Sequence, residues 1–308
     1  MKIPEHQLGF ERMFSTEEQC LQYIMELKWP EGYECPRCKN TFYWLGNKKR
    51  IICSKCEFQT TVIAGTIFEQ TNKPLVLWFR AIWWMVAQKN GVSAVGLQKI
   101  LGLGSYQTAW TWLQKLRLLT VAPDRQKLCG EVEVDETFVG GEKAGKRGRG
   151  SENKSLVAVA VEVLNKGTGR IRLQIVPSAS AEDLSQFITT HIERDSTVIT
   201  DGWTGYNEIA KKGYIHHIEK LHKKENLDQM LSNAHRVASL LKRWLIGTHQ
   251  NYVSQNRLQN YLEEFVFRYN RRKSGSRGLL FQRIMEQAVK HNPVRYQEIM
   301  NNSTTGQK

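Results

Sequence analysis

Two cysteine pairs, Cys35-Pro36-Arg37-Cys38 and Cys53-Ser54-Lys55-Cys56, stand fourteen residues apart. Each C-x2-C knuckle can offer two thiolates to one tetrahedral zinc ion, and the residues between suit a hairpin. A segment of some thirty residues buries too little apolar surface to fold without such support. Residues 33–65 are therefore expected to form a zinc ribbon whose ion is structural. A redox dithiol is the competing reading, and the paired spacing favours metal. Phe42, Tyr43, Trp44 and Phe58, with Lys48, Lys49 and Arg50, suit a contact surface for DNA or protein. The two remaining cysteines, Cys20 and Cys129, read as small apolar fillers.

Farther on, Glu131-Val132-Glu133-Val134-Asp135-Glu136-Thr137-Phe138-Val139 alternates valine with acid at period two. Strand side chains alternate between faces, so one face buries valines while the other carries Glu131, Glu133 and Asp135. A solvated edge strand can have this pattern. Here Gly140-Gly141 breaks the run just past the acids, and a second strand-like run, Ser196–Thr200, ends at Asp201. Strands that each end near an Asp form a scaffold for carboxylates sharing divalent ions.

Lysine and arginine number 44 against 30 acidic residues, a formal charge of +14. That balance points to a polyanionic partner. The most apolar helical stretch, Leu75 to Ala87, is interrupted by Arg80 and falls short of the ~20 residues that span a bilayer. The N-terminus has no apolar signal region. The expectation is a cytoplasmic protein associated with the nucleoid.

Residues 1–32 form an N-terminal helical segment, with Ser15 and Glu18 as a capping box for a helix over about 16–27. Residues 66–122 are helical. Pro74 starts a helix to about Lys89, Asn90-Gly91 stops it, and Ser93 caps a short helix to Leu101. Gly102-Leu103-Gly104 then turns the chain, and Ser105 caps a helix to about Leu119. This is the helix-turn-helix pattern. In its second helix Ala109, Leu113 and Leu116 face inward. Gln107, Thr108, Thr111, Gln114 and Lys115 lie on the other side, as types that read base edges or hold phosphates.

After Pro123-Asp124 the chain reads as strands Glu131–Val139, Ser155–Val163 and Arg170–Val176, a helix Ala181–Ile192, and the strand ending at Asp201. A short run Tyr214–Ile218 follows. This order gives a mixed sheet with helices on its faces. Lys143, Lys146, Arg147 and Arg149, directly after the acidic strand, would bring phosphates to the carboxylates. From about Asn226 the chain is helical, and His235 and Lys242, seven residues apart, share one helix face. A second helix, about Ser254 to Arg271, ends in the charge run Arg268, Arg271, Arg272 and Lys273. A last helix spans about 278–290, and 293–308 is read as a tail.

The combination resembles bacterial insertion-sequence transposases of the DDE (RNase H-like, retroviral-integrase-like) superfamily. It is similar to the branch with an N-terminal zinc ribbon and a lysine after the third catalytic position. The resemblance rests on the cysteine pairs, on Val132-Glu133-Val134-Asp135-Glu136-Thr137-Phe138-Val139-Gly140-Gly141 and on Thr200-Asp201-Gly202-Trp203. It extends through His235-Arg236, Leu240-Leu241-Lys242-Arg243, and Tyr261 to Arg272.

It implies a multidomain α/β protein: a zinc ribbon, a helix-turn-helix, and an RNase H-like mixed-sheet catalytic domain over 123–292. Asp135, Asp201 and His235 would hold two Mg²⁺ or Mn²⁺ ions ~3.5–4 Å apart. The third family position is commonly Glu or Asn, so His235 is a departure, and Glu263 or Glu264 is the alternative source of a carboxylate. Lys242 would hold DNA beside the scissile bond, with Glu133 and Glu136 as partners behind the ligands. The implied activity is cleavage at terminal inverted repeats and joining of the 3′-hydroxyl to target DNA, by a homodimer on double-stranded DNA. The alternative is a DNA-binding regulator, or an inactive relative, with the same ribbon and helix-turn-helix.

Overall fold

The computed structural model describes residues 3–46, 49–140, 154–165, 167–219, 231–250 and 253–301. The basic residues Lys143, Lys146, Arg147 and Arg149 lie outside them. The chain divides into two compact units, Met1–Ala122 with Ser274–Asn301, and a second beginning at Pro123 and running to Lys273.

The first unit opens with α1 (Gln7–Met13) and α2 (Glu17–Lys28). Thr16, not Ser15, caps α2: its hydroxyl accepts from the Gln19 N–H, and the Gln19 side chain accepts from the Thr16 N–H. The reciprocal box closes with Gln at its third position, so Glu18 is not needed. Three short antiparallel strands follow, β1 (Tyr43–Gly46), β2 (Arg50–Cys53) and β3 (Gln59–Thr61), in that spatial order. Helices α3 (Leu75–Ala87), α4 (Ala94–Leu101) and α5 (Tyr106–Leu118) then lie within two residues of the ends expected from their caps and stops. The first turn of α3 is capped from outside, where the Glu17 carboxylate accepts from the Leu75 N–H at 2.8 Å.

The chain returns to this unit as α9 (Arg277–Lys290) and α10 (Tyr296–Asn301). A boundary at 292 for the sheet domain is therefore too late. The reason is aromatic packing: Phe281 of α9 is fully buried among Phe10, Phe14, Tyr23, Phe79 and Trp83. At the start of α9 a β-carbon on Gly278 would stand 2.0 Å from the Pro4 carbonyl oxygen, so only glycine fits there. Burying a ring as large as Phe281 stabilises the unit by about 1.5–3 kcal/mol. Cys20 is buried as expected of a filler, and burial pushes its thiol up to about 12.

The second unit is a five-stranded mixed sheet in the order β6-β5-β4-β7-β8. Its strands are β4 (Glu131–Gly140), β5 (Lys154–Leu164), β6 (Gly167–Val176), β7 (Thr197–Thr200) and β8 (Ile215–Ile218). The first three pair antiparallel, whereas β4–β7 and β7–β8 are parallel. Helix α6 (Ala181–His191) makes the crossover to β7. One sheet face packs Val132, Val134, Ala158, Ala160 and Val198 against Leu184, Phe187 and Ile188 of α6. The other packs Val157, Val159, Val161 and Leu173 against α7 (Ser232–His249) and α8 (Leu258–Asn270). Strand β5 is covered on both sides, which is why it reads as an almost unbroken apolar run. Cys129, just before β4, is exposed and so is not a filler. No helix among the described residues is long and apolar enough to cross a membrane.

Candidate active site

Alternation along β4 settles which way its acids point. Val132 and Val134 enter the α6 core, and Val139, of opposite parity, enters the α7/α8 core. Glu133 and Asp135 therefore face α7. The parallel register pairs Val132 with Val198 and Glu133 with Ile199. Two residues further along both strands, the same register sets Asp135 beside Asp201, just past the end of β7. Neighbouring strands run ~4.8 Å apart, so the register brings the two carboxylates together, Asp135 from the middle of β4, which runs on to Gly140, and Asp201 from just past the end of β7.

Helix α7 brings the third residue. His235 Nε2 stands 3.3 Å from Asp135 Oδ2, with the Asp135 side chain 16% and the His235 side chain 46% exposed. Burial raises the Asp135 carboxyl above its ordinary value, and the negative charges of Asp201 and Glu133 add to this. The Glu136 N–H and His235 oppose it. A buried carboxylate among like charges is a favourable place for a cation. Two carboxylates and one imidazole suit Mn²⁺ or Mg²⁺. Among the described residues only the four cysteines bring three such ligand atoms within 4.8 Å of one another. Asp135, Asp201 and His235 are thus not spaced as joint ligands of a single ion.

The surrounding contacts hold these elements in register. Asp201 Oδ1 accepts from the Trp203 N–H at 2.9 Å, and the Trp203 indole donates to the Ala179 carbonyl. Between them Gly202 has φ +80°, and a β-carbon there would meet Ile218 at 2.7 Å. Glu136, on the opposite face of β4, accepts from the Tyr206 hydroxyl at 2.6 Å. Burial, and then Glu136, pushes the Tyr206 phenol well above its ordinary value, so it remains a donor. Glu133 accepts from the first turn of α7: from Asn233 N–H at 2.9 Å, Ala234 N–H at 2.8 Å and Asn233 Nδ2 at 2.7 Å.

Lys242 lies exposed two turns along α7. Its ammonium is pushed down first by burial and then by Lys154, while Asp135 draws it back up. Lys154 begins β5 opposite Gly140 of β4. Lys154, Tyr206 and Glu219, whose carboxylate accepts from the Leu231 N–H just before α7, have no place in the sequence-derived site, although Tyr206 lies in the aromatic turn directly after Asp201. The alternative carboxylates do not join the site. Glu263 holds Arg125 through contacts of 2.6 and 3.2 Å, and Glu264 is buried within α8.

In the ribbon, Cys35 Sγ and Cys56 Sγ lie 3.6 Å apart, and Cys38 Sγ and Cys53 Sγ 3.5 Å apart. Sulfurs around a tetrahedral zinc with ~2.3 Å bonds stand ~3.8 Å apart, so the four fit one ion. Asn40 Nδ2 donates to Cys53 Sγ at 3.7 Å, the kind of contact that orients a thiolate ligand. Burial pushes the Cys53 thiol up, but backbone N–H groups of Cys56 and Lys55 and the neighbouring thiols outweigh it and lower it to about 6.

Two expected DNA-facing sets are placed differently from expectation. Gln114 is only 1% exposed, so it leaves the outer face of α5. Gln107 is exposed and donates to the Tyr296 hydroxyl of α10 at 3.1 Å. Thr108, Thr111 and Lys115 are half-buried, and burial lowers the Lys115 ammonium while Glu298 of α10 raises it. The polar side of α5 thus carries α10, with Ile299 buried. At the end of α8, Arg272 donates to Thr168, Gly169 and Tyr269 and stacks on the Tyr269 ring at 4.1 Å. Its guanidinium ties α8 to β6 and does not face solvent as a phosphate clamp. Arg271 lies over the Phe267 ring at 4.1 Å, Arg268 is half-buried, and Lys273 is exposed.

Residues 127–270 match the ISXO2-like transposase domain, and residues 15–59 match the transposase zinc-ribbon domain. An uncharacterized protein in transposable element ISH50 of Halobacterium salinarum is 25% identical over 279 residues, which cover 83% of this chain and 92% of that one. Among solved structures, a pre-cleavage Mos1 transpososome aligns with a TM-score of 0.27 at 12% identity, over 68% of this chain and 78% of its own. A Mos1 strand transfer complex aligns at 0.30 and 13%, over 74% and 79%. These structural alignments are distant, and the assignment rests on the sequence matches. The chain thus joins a transposase zinc-ribbon domain to an ISXO2-like transposase domain of the DDE superfamily.

Proposed function

We propose that this chain is a metal-dependent DNA transposase that binds the terminal inverted repeats of an insertion sequence, cuts the DNA there and joins the freed 3′-hydroxyl to target DNA. One observation carries the reading. Asp135 and His235 meet at 3.3 Å beside the register-matched Asp201, inside the stretch that matches a transposase domain. Asp201 and His235 would each hold one Mg²⁺ or Mn²⁺, and Asp135 would serve both. Once bound, such ions neutralise charge at the reacting phosphorus and activate the attacking oxygen. Lys242 and Lys154 would hold the phosphates on either side of the scissile bond.

At an element's end a water oxygen bonds to phosphorus as the 3′-oxygen leaves; the water loses a proton and the leaving oxygen gains one. The freed 3′-hydroxyl then attacks a target phosphodiester and displaces that strand's own 3′-oxygen. Each step exchanges one P–O bond for another, so the protein needs no covalent link to DNA. Gln107, Thr108, Thr111 and Lys115 of α5 would read the repeat. The outer residues at the end of α8, Arg268, Arg271 and Lys273, would hold backbone without reading sequence. The ribbon, with zinc on Cys35, Cys38, Cys53 and Cys56, would add a contact to DNA or protein. Two ends are joined at once, so at least two copies would act together, in the cytoplasm on nucleoid DNA.

His235 in place of a carboxylate favours a second reading, a DNA-binding regulator without chemistry. The test is incubation with the inverted repeats that bracket the reading frame, a supercoiled plasmid and Mn²⁺ or Mg²⁺. Joined products support a transposase. Cutting without joining indicates a nuclease, and binding with neither indicates the regulator.

A further inference from the structure

We infer that Glu133 is the positioning residue for His235: it supplies the N-terminal cap that α7 does not encode, and so sets the imidazole against Asp135. This deepens the proposed site and rests on that reading for the role of His235, but not for the contact itself.

Helix α7 has no cap of its own. The residue before it is Leu231, an apolar side chain with nothing to offer an amide, held at φ +47°. Left-handed backbone is rare for a bulky residue and persists only where its surroundings enforce it. Two carboxylates do so here. Glu219 accepts from the Leu231 N–H at 2.9 Å. Glu133 accepts from the N–H groups two and three residues on, those of Asn233 and Ala234, and from the Asn233 amide as well. The first four N–H groups of any helix lack partners within it, and a carboxylate there is favoured by the helix dipole.

His235 is the residue immediately after this grip, and its N–H closes onto the Leu231 carbonyl at 3.0 Å. Glu133 is 6% exposed and lies two positions before Asp135 on the same face of β4. The same strand therefore presents one ligand and fixes the helix that presents another. Glu133 itself has both oxygens committed to α7 and is not offered as a ligand.

The test uses the full chain with its zinc and compares wild type, Glu133→Ala and Glu133→Gln. Amide hydrogen exchange reads the contact directly: in Glu133→Ala the amides of Asn233 and Ala234 should exchange about tenfold faster or more, with α8 unchanged. Removing a residue that orients a ligand typically weakens metal binding by roughly ten- to hundredfold, so Mn²⁺ affinity should fall by about that much. The Glu133 and His235 effects on Mn²⁺ affinity should also be non-additive, His235→Ala costing less in the Glu133→Ala background. Glu133→Gln keeps one acceptor oxygen and should fall between, and it replaces the alanine variant if that one does not fold. Unchanged exchange in the first turn of α7 overturns the proposal. So do additive effects of the two substitutions, or a loss of thermal stability with Mn²⁺ affinity intact. If wild type binds no Mn²⁺, the metal reading fails, while the exchange measurement still decides whether Glu133 caps the helix.

Discussion

In the sheet unit, residues a hundred positions apart meet because β4 and β7 run in register and Glu133 grips α7. In the helical unit, the side chains with the clearest DNA-reading pattern lie side by side on one helix, yet α10 packs against that helix and its Tyr296 hydroxyl accepts from Gln107. The comparison teaches that chemistry-bearing residues can be inferred from a pattern when backbone pairing fixes their direction. A polar helix face has no such constraint. Any short segment of complementary shape can occupy it, and its occupant is not written in the helix itself.

The largest expected effect separates the two units. Structural zinc contributes roughly 10–16 kcal/mol to small ribbons, so chelation or Cys53→Ser should unfold residues 33–65. Hydrogen exchange should show β1–β3 opening while β4–β6 stay protected. Opening of both would mean that the units do not stand separately.

Next is Phe281→Ala, which deletes the ring at the centre of the aromatic cluster of the first unit. Such a truncation costs about 3–5 kcal/mol, read as an earlier urea transition in α1–α3 and α9. An unchanged transition there would contradict the assignment of α9 to this unit.

Acid should affect the sheet unit through His191. Burial, then Arg125, Arg172 and Lys127, lowers His191 to about 3, and its Nε2 stays 2.6 Å from Gln174. The ordinary value is 6.5, so below that the unfolded chain takes up a proton which the folded one refuses. Stability from this source is complete above pH 6.5 and is lost as pH falls toward 3, at up to about 1.4 kcal/mol per pH unit. His191→Gln should flatten that slope in melting temperature against pH, and an equally steep slope would contradict the assignment.

Most elements were legible because their residues suffice. Alternating valines gave β4, the apolar run gave β5, and Ser93 and Ser105 marked α4 and α5 within a residue or two. Helices α1 and α10 were missed because six or seven residues hold too little periodicity to register. The cap of α2 slipped by one residue because Ser15 and Thr16 both fit, and only the Gln19 contact decides. At the site, Asp135 and Asp201 were named as strand-end acids and His235 from the resemblance; Asp201 does follow β7, but β4 continues five residues past Asp135, because its pairing with β5 runs on to Gly140. The role of Glu133 as a helix cap did not, since it depends on how α7 lies across β4. Arg272 looked like part of a phosphate clamp because its contacts with Thr168 and Gly169 are a hundred residues away in sequence.

The smallest effect sharpens the comparison most. Ending the chain after Asn292 removes α10 and should release Gln107 from Tyr296 and Lys115 from Glu298. Affinity for terminal-repeat DNA should rise about tenfold, some 1.4 kcal/mol, and Thr111→Ala should then cost more than it does in the full chain. Unchanged or weaker binding would mean that the covered face is not the one that reads DNA.

The account depends most on Asp135, Asp201 and His235 acting together. The direct measurement is Mn²⁺-dependent nicking of end-labelled terminal-repeat DNA by wild type, Asp135→Asn, Asp201→Asn and His235→Ala, with DNA binding followed by gel shift in parallel. The account predicts a nick at the element's 3′ end by wild type, its loss in both aspartate variants, a severe reduction in His235→Ala, and unchanged shifts throughout. Nicking that survives Asp135→Asn would contradict it.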